Sequence, residues 1–324
     1  MRVLLWHVHG SWTTALLQGG HDYAVPVVPD RGPDGLGLAR TYPWPGGVRE
    51  LAPEELGDAE FDVVIVQRPH ELELAERWLG RRPGRDVPCV WLEHNAPQGR
   101  IAEMRHPAAD RDDLLVVHVT HFNDLFWDCG TTPTRVIEHG IVDPGARYTG
   151  ELERQAVVVN EPVRRGRVTG TDLLPRFAEA GPVDVFGIGA ARLGPPAHGI
   201  EDLPQARLHD EVARRRVYVH PVRWTSLGLS LLEAMQLAMP VVALATTEVV
   251  EAVPPGAGVV STRVDVLVDA VRGYLADPEG AARDGERARA VALDRHGLEG
   301  FLAAWDELLG EVASGLARTR GVTA

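Results

Sequence analysis

The sequence predicts an α/β protein made of two consecutive Rossmann-like parallel-sheet domains. Three observations carry this prediction. Short apolar runs bounded by turn residues alternate with longer helix-periodic stretches along the chain, which is the signature of βαβ units. The alternation runs in two series, separated by an aperiodic stretch, 143–155, that is rich in Pro, Gly and charge. The length of 324 residues at 44% hydrophobic composition is enough for two cores.

The first series opens with the apolar run Val3 to Val8. It passes through the turn His9-Gly10-Ser11-Trp12 into a helix-like stretch ending at Leu17. Gly and Pro punctuate 30–47, which reads as loop. Strand-like runs follow at Val63 to Val66, Cys89 to Leu92, Leu114 to Val119 and Thr134 to Ile137, with a helical segment at Leu72 to Leu79. The stretch 143–155 is taken as the linker. The second series has strand-like runs at Ala156 to Val159, Val183 to Phe186, Val217 to Val219, Val241 to Ala245 and Gly258 to Val260. Its helices are expected at Leu229 to Leu237 and Val264 to Leu275. The end, Leu298 to Leu316, is amphipathic, with Phe301, Trp305, Leu308 and Leu309 on one side. The expected division is 1–145, 146–300 and a final helix within 301–324 packing back toward the first domain. Parallel sheets bind ligands at the carboxyl ends of their strands, so two such domains facing across a cleft suit a two-substrate reaction.

Composition narrows the function. A formal net charge of −13 opposes binding to nucleic acid or to anionic membrane surfaces. No apolar run reaches the roughly 18 residues of a membrane span, so stable membrane insertion is not expected. All 33 Lys+Arg cations are Arg. Any phosphate must therefore be met by guanidinium forks, backbone N–H groups and helix N-termini. The two cysteines, Cys89 and Cys129, form no CxxC pair, so zinc and redox motifs are unsupported. Few cysteines, and an opening too short for a secretory segment, point to the cytoplasm.

The segment most loaded with chemistry is His220-Pro221-Val222-Arg223-Trp224-Thr225-Ser226-Leu227-Gly228-Leu229-Ser230-Leu231-Leu232-Glu233-Ala234-Met235, followed by Pro240-Val241-Val242-Ala243. A strand ending at His220 leads through a glycine turn into a helix near Gly228. The first N–H groups of that helix suit an anion such as a diphosphate. Glu233, further along, could accept hydrogen bonds from a ribose diol. The plain alternative is an ordinary αβ unit with a solvated glutamate.

This string resembles the nucleotide-sugar motif of retaining GT-B glycosyltransferases of the family-4 type (glycosyl transferases group 1). Their motif is Pro-Ser-x-x-Glu-x-Phe-Gly-Leu-x-x-Leu-Glu-Ala-Met. The resemblance implies that Glu233 binds the donor ribose and that the backbone of Gly228 and Leu229 faces the diphosphate and sugar. Thr225 falls where the family has a sugar-binding Glu. After the run Ala156 to Val159, the stretch Asn160 to Gly170 falls where the family has an Arg and a Lys that neutralise the leaving diphosphate. Arg164 matches the Arg, Thr169 replaces the Lys, and Arg167 or Arg165 is expected to cover for it. Phe186-Gly187-Ile188-Gly189 resembles a strand-end Gly-x-Gly that lets backbone approach the nucleoside, although any tight βα turn uses Gly. Thr246-Thr247-Glu248-Val249-Val250-Glu251 lies where the family has a Gly-Gly-x-x-Glu sequence, which makes Glu248 a weak and Glu251 a weaker site candidate.

In the first half the resemblance places Gly10 and Ser11 in the loop closing over donor and acceptor. The alternative there is a plain turn with Ser11 as helix cap. It also makes His94, after the strand Cys89 to Leu92, the active-site histidine that meets the donor sugar, first among 13 histidines. His118, His121 and His139 sit at strand ends, where a histidine is more often structural, and are taken as acceptor-side groups only, His121 and His139 first; Trp12 beside the motif joins them, although such a Trp is more often core than sugar platform. The implied reaction is a retaining, metal-independent transfer with no cofactor beyond the nucleotide-diphosphate sugar. Arg164 and the Gly228 helix end would stabilise the leaving diphosphate. The short first domain and Ala245 to Glu248 resemble actinobacterial natural-product transferases that handle ADP-heptose. That implies an ADP-sugar, with a heptose among the donors, and a small-molecule or glycan acceptor. Thr225 and Thr169 also admit a catalytically silent GT-B partner protein. No Lys is present to form a Schiff base with pyridoxal phosphate, which excludes a glycogen-phosphorylase-like enzyme, and the missing GxGxxG after the first strand argues against a dinucleotide oxidoreductase.

Overall fold

The computed structural model describes residues 1–38 and 42–321, with side chains through residue 315. The chain divides into two compact units, Met1–Gly140 with the described part of 299–324, and Ile141–Leu298. The division after Gly140 falls five residues ahead of the boundary expected from composition.

The first unit contains β1 (Arg2–Leu5), α1 (Gly10–Leu16), β2 (Asp22–Pro26), β3 (Arg49–Leu51), α2 (Pro53–Leu56), β4 (Val63–Val66), α3 (Glu71–Leu79), β5 (Cys89–Glu93), β6 (Leu115–His118), α4 (His121–Phe126) and β7 (Thr134–Val136). Its seven strands are parallel, in the order β3-β2-β1-β4-β5-β6-β7. The run Val63–Val66 is buried along its whole length, as expected of a central strand covered on both faces. Strand β1 stops at Leu5, short of the expected Val8, and the following residues turn out of the sheet as a loop. Of the loop expected over 30–47, residues 39–41 lie outside the described residues.

The second unit contains β8 (Leu152–Val158), α5 (Pro162–Arg165), α6 (Leu174–Ala178), β9 (Val183–Phe186), β10 (Ala197–Ile200), α7 (Gln205–Ala213), β11 (Arg215–His220), α8 (Leu229–Gln236), β12 (Val241–Leu244), α9 (Val249–Ala252), β13 (Val259–Ser261), α10 (Val264–Ala276) and α11 (Pro278–His296). Helix α12 (Leu298–Gly321) closes the chain, and from Glu299 onward it belongs to the first unit. Leu152–Gln155, expected as linker, are the first residues of β8. The charged alternation Glu151-Leu152-Glu153-Arg154 hides the start of this strand, where Glu151 pairs with Arg214 and Arg154 with Asp184.

The second sheet is also parallel, in the order β10-β9-β8-β11-β12-β13. Side chains alternate between its faces. Ala156, Tyr218, Val241 and Ala243 join one core with α8 and α11, while Val157, Val217, Val219, Val242 and Leu244 join the other with α6 and α10. In both sheets the winding reverses once, between β1 and β4 and between β8 and β11. The carboxyl ends of strands at such a reversal are where open α/β sheets bind ligands.

Candidate functional site

In the second unit the reversal point joins two loops. One leaves β8 through Asn160 to Thr171; the other leaves β11 at His220 and enters α8 at Gly228. The backbone N–H groups of Arg223 (2.9 Å) and Trp224 (3.3 Å) donate to the Val168 carbonyl. Gly170, at φ 74°, brings its α-carbon against the Pro221 carbonyl so closely that a side chain would collide with it. The structure thus brings the arginine-rich turn and the start of α8 together.

Helix α8 is largely buried, with Leu231 to Gln236 enclosed as a block. It carries Glu233 into the interior, 7% exposed. A buried carboxylate needs partners. Gln205 Nε2 on α7 donates to Glu233 Oε1 at 3.1 Å, and His209 Nε2 lies 3.6 Å from Oε2. Gly228 caps the helix in extended backbone, Leu229 is its first residue, and Thr225 lies partly exposed in the turn before it. His220 is buried, and burial pushes its pKa down to about 4, so its ring is neutral. Its Nδ1 faces Tyr218 Oη at 3.5 Å; Tyr218 donates to Ser230 Oγ at 3.0 Å, which donates to the Val158 carbonyl at 3.3 Å. This relay ties the ends of β8 and β11 to the first turn of α8.

The cations sort differently from expectation. Arg164 is 70% exposed and lies 3.6 Å from Glu161. Arg167 is 77% exposed and pairs with Asp172 at 3.1 Å. Arg223, which the motif left without a role, also clamps Asp172 and donates to the Arg167 carbonyl. Arg165 is half-buried, and among the described residues its guanidinium has neither an ion pair nor a hydrogen bond. Burial, then neighbouring Arg164, lower its pKa. A half-buried cation without a counter-charge is the natural seat for an anionic ligand.

Thr169 is corrected from donor contact to loop brace. It is buried, with Oγ1 donating to the Gly166 carbonyl at 3.1 Å and 3.0 Å from Thr171 Oγ1. Gly187, at φ 134°, ends β9 where a side chain would strike the Val159 carbonyl, so packing alone requires the glycine. Thr247 holds φ 50°, a left-handed conformation that is costly for a β-branched residue. Its loop is pinned by Thr246 Oγ1 donating to the Val222 carbonyl at 2.9 Å. Glu248 is buried, 3.6 Å from Arg295, and Glu251 is exposed.

In the first unit, loops after β1, β4 and β5 bring His9, Gln67 and His94 together. The rings of His9 and His94 are 4.1 Å apart, and His139 stacks on His94 at 6.0 Å. His94 Nε2 lies 2.9 Å from Gln67 Oε1. Burial first, then His9 and His139, hold His94 well below the ordinary histidine range. Burial, then His7 and Arg68, push His9 down to about 4. Sequence reasoning missed His9 and Gln67 as members of this cluster, because nothing local marks them.

Trp12 is fully buried, edge-on to His94 at 5.2 Å and to Trp305 at 5.5 Å, so it is core and cannot serve as an exposed sugar platform. Gly10 does not leave room for a diphosphate, because the Tyr42 ring takes the space where its side chain would be. Ser11 lies in the first turn of α1, whose cap is His9. His121 opens α4 as an exposed residue outside the histidine cluster. His118 serves a separate buried group, 3.6 Å from Cys129 Sγ. Among the described residues no group of three or more His, Cys, Asp or Glu is arranged to hold a metal ion, and no helix is long and apolar enough to cross a membrane.

Residues 193–291, which hold α8 and Glu233, match the family Glycosyl transferases group 1. No curated protein sequence matches the chain. Among solved structures, sucrose-phosphate synthase from Thermosynechococcus elongatus superposes with a TM-score of 0.73 at 15% identity, over 97% of this chain and 99% of that one. The fold is GT-B. HepE from Anabaena, solved with UDP and glucose, gives 0.70 at 15% identity over 96% and 100%. AviGT4, a glycosyltransferase of avilamycin A biosynthesis, gives 0.63 at 17% identity over 97% and 98%. The family match is thus confined to the second unit, and the solved structures share the GT-B fold over nearly the whole chain.

Proposed function

We propose that the chain transfers a sugar, with retention, from a nucleoside-diphosphate donor to a small-molecule or glycan acceptor. The observation that carries this reading is Glu233, a buried carboxylate on a core helix that begins at the β8/β11 reversal, inside the segment matching group 1 transferases. Glu233 grips the ribose in exchange for Gln205. The N–H groups at the start of α8 and the Arg165 guanidinium take the diphosphate. Arg165 replaces Arg164 as the principal cation of this reading, because Arg164 is largely solvated and sits beside Glu161. As negative charge grows on the departing diphosphate, these fixed donors stabilise it without a metal ion. The β-phosphate oxygen takes the proton of the acceptor hydroxyl, and His94 meets the transferred sugar.

The donor base is read from two likenesses. Resemblance to ADP-heptose transferases favours an ADP-sugar, and HepE brings UDP-glucose into the same screen. Incubation with ADP-, UDP-, GDP- and TDP-sugars, following release of the nucleoside diphosphate, tests the reading. Release from one donor supports it. Binding without any release or transfer favours the second reading, a silent GT-B partner, which Thr225 in place of the sugar-binding Glu motivates.

A further inference from the structure

We propose that Gln67 is a positioning residue that holds His94 as a single tautomer, with the proton on Nε2 and the lone pair on Nδ1. The proposal extends the reading in which His94 meets the donor sugar.

Gln67 leaves the end of β4 and is 3% exposed. Its amide bridges two neighbouring strand ends. Nε2 donates to the Trp6 carbonyl, just beyond β1, at 2.6 Å, and Oε1 lies 2.9 Å from His94 Nε2, just beyond β5. A backbone carbonyl can only accept, so the amide nitrogen must face Trp6 and the amide oxygen must face His94. That oxygen can also only accept, so His94 Nε2 carries the hydrogen. A neutral imidazole has one N–H, which leaves Nδ1 as an acceptor. The orientation is therefore imposed by the β1 backbone and passed through one side chain.

Gln67 is itself fixed. Its backbone N–H donates to Glu71 Oε2 at 2.5 Å, and Glu71, fully buried at the start of α3, also accepts from the Arg68 backbone N–H at 3.2 Å and Arg68 Nε at 2.5 Å. The groups around the His94 ring include His9, His139, the edge of Trp12 and this amide, with the Arg68–Glu71 pair behind Gln67. In such a site the second partner of an imidazole decides which nitrogen meets the substrate. An acceptor at Nδ1 suits a sugar hydroxyl that donates.

The test uses the full chain with Gln67→Met, which keeps length without the amide, Gln67→Glu, and His94→Ala. Long-range proton–nitrogen NMR of the His94 ring is expected to show Nε2–H in the parent protein and mixed tautomers in Gln67→Met. In Gln67→Met, kcat should fall about tenfold or more, equivalent to at least about 1.4 kcal/mol, with donor KM changed far less. Gln67→Glu should move the acid limb of the kcat profile up by about one pH unit or more, because a carboxylate there stabilises the imidazolium. A parent His94 protonated on Nδ1 overturns the proposal. So does an unchanged tautomer and pH profile in both Gln67 variants while His94→Ala loses activity. Full activity in His94→Ala would instead remove His94 from the reaction, and the NMR result would still decide the role of Gln67.

Discussion

Gly228 packs its α-carbon against the His220 imidazole so closely that a β-carbon at 228 would lie 2.5 Å from His220 Cε1. The glycine that starts α8 is thus required by a neighbouring strand end, whatever ligand the helix serves. Gly228→Ala should destabilise the protein by about 1–3 kcal/mol through overpacking. His220→Ala in the same chain should recover much of that loss, because the two changes share one space. Denaturant midpoints of the two single variants and the double variant measure the coupling; strict additivity would contradict it.

Arg165, Arg164 and Arg167 are neighbours with different surroundings, and the difference predicts a ranking. Arg165→Ala should weaken nucleoside-diphosphate binding about tenfold or more, as expected for loss of a charge-assisted contact in a partly desolvated site. Arg164→Ala and Arg167→Ala, which remove largely exposed cations already beside Glu161 and Asp172, should weaken it only a few-fold. Calorimetric titration with UDP and ADP checks the order.

The fold was legible where burial is complete on both faces. Val63–Val66 and Val241–Leu244 read as strands because a parallel sheet covered on both sides needs unbroken apolar runs. Edge strands escape that rule. Arg49–Leu51 and Ala197–Ile200 are short and partly exposed, so no apolar run marks them. Helix α11 escaped because its inward stripe is Ala281, Gly285, Ala288 and Ala292. Such small residues let it approach the Ala238 carbonyl, yet leave little hydrophobic contrast in sequence. The donor segment was legible because its residues are contiguous. The Gln67–His94 pair was not, since 27 residues separate two groups that only the strand order brings together.

Acid sensitivity follows from the buried histidines. Burial is the main cause of the depressed pKa of His118 and His220, each near 4, and a nearby His106 adds to it for His118. Between the unfolded value near 6.5 and about 4, the unfolded chain binds protons that the native state refuses. Stability is therefore full above about pH 6.5, falls as pH drops through this window, and stops falling from this source below about 4. Each group contributes up to about 3 kcal/mol across the window. Melting curves from pH 7 to pH 4 should show this slope, and His220→Leu should flatten it by the share of one proton.

The base of the second sheet depends on Asp184, which is 1% exposed. It accepts from Arg154 Nε at 2.8 Å and Arg215 Nε at 2.9 Å, and lies 3.2 Å from His198 Nδ1. Burial pushes its carboxyl pKa up, but the two guanidiniums outweigh this and hold it below the ordinary value. Asp184→Ala should cost about 1–3 kcal/mol, because it leaves the buried Arg215 Nε without its acceptor while Arg215 Nη1 keeps Glu211 at 2.8 Å. Arg154→Ala, which removes the more exposed partner, should cost clearly less in urea unfolding.

The central claim is that the turn into α8, with Glu233 behind it, seats a nucleoside diphosphate. Calorimetric titration of the parent chain and of Glu233→Ala with UDP and ADP tests it most directly. The expected result is saturable binding of at least one nucleotide by the parent, weakened about tenfold or more in Glu233→Ala while that variant remains folded. Equal affinity in the two proteins, or no binding of either nucleotide by the parent chain, would contradict it.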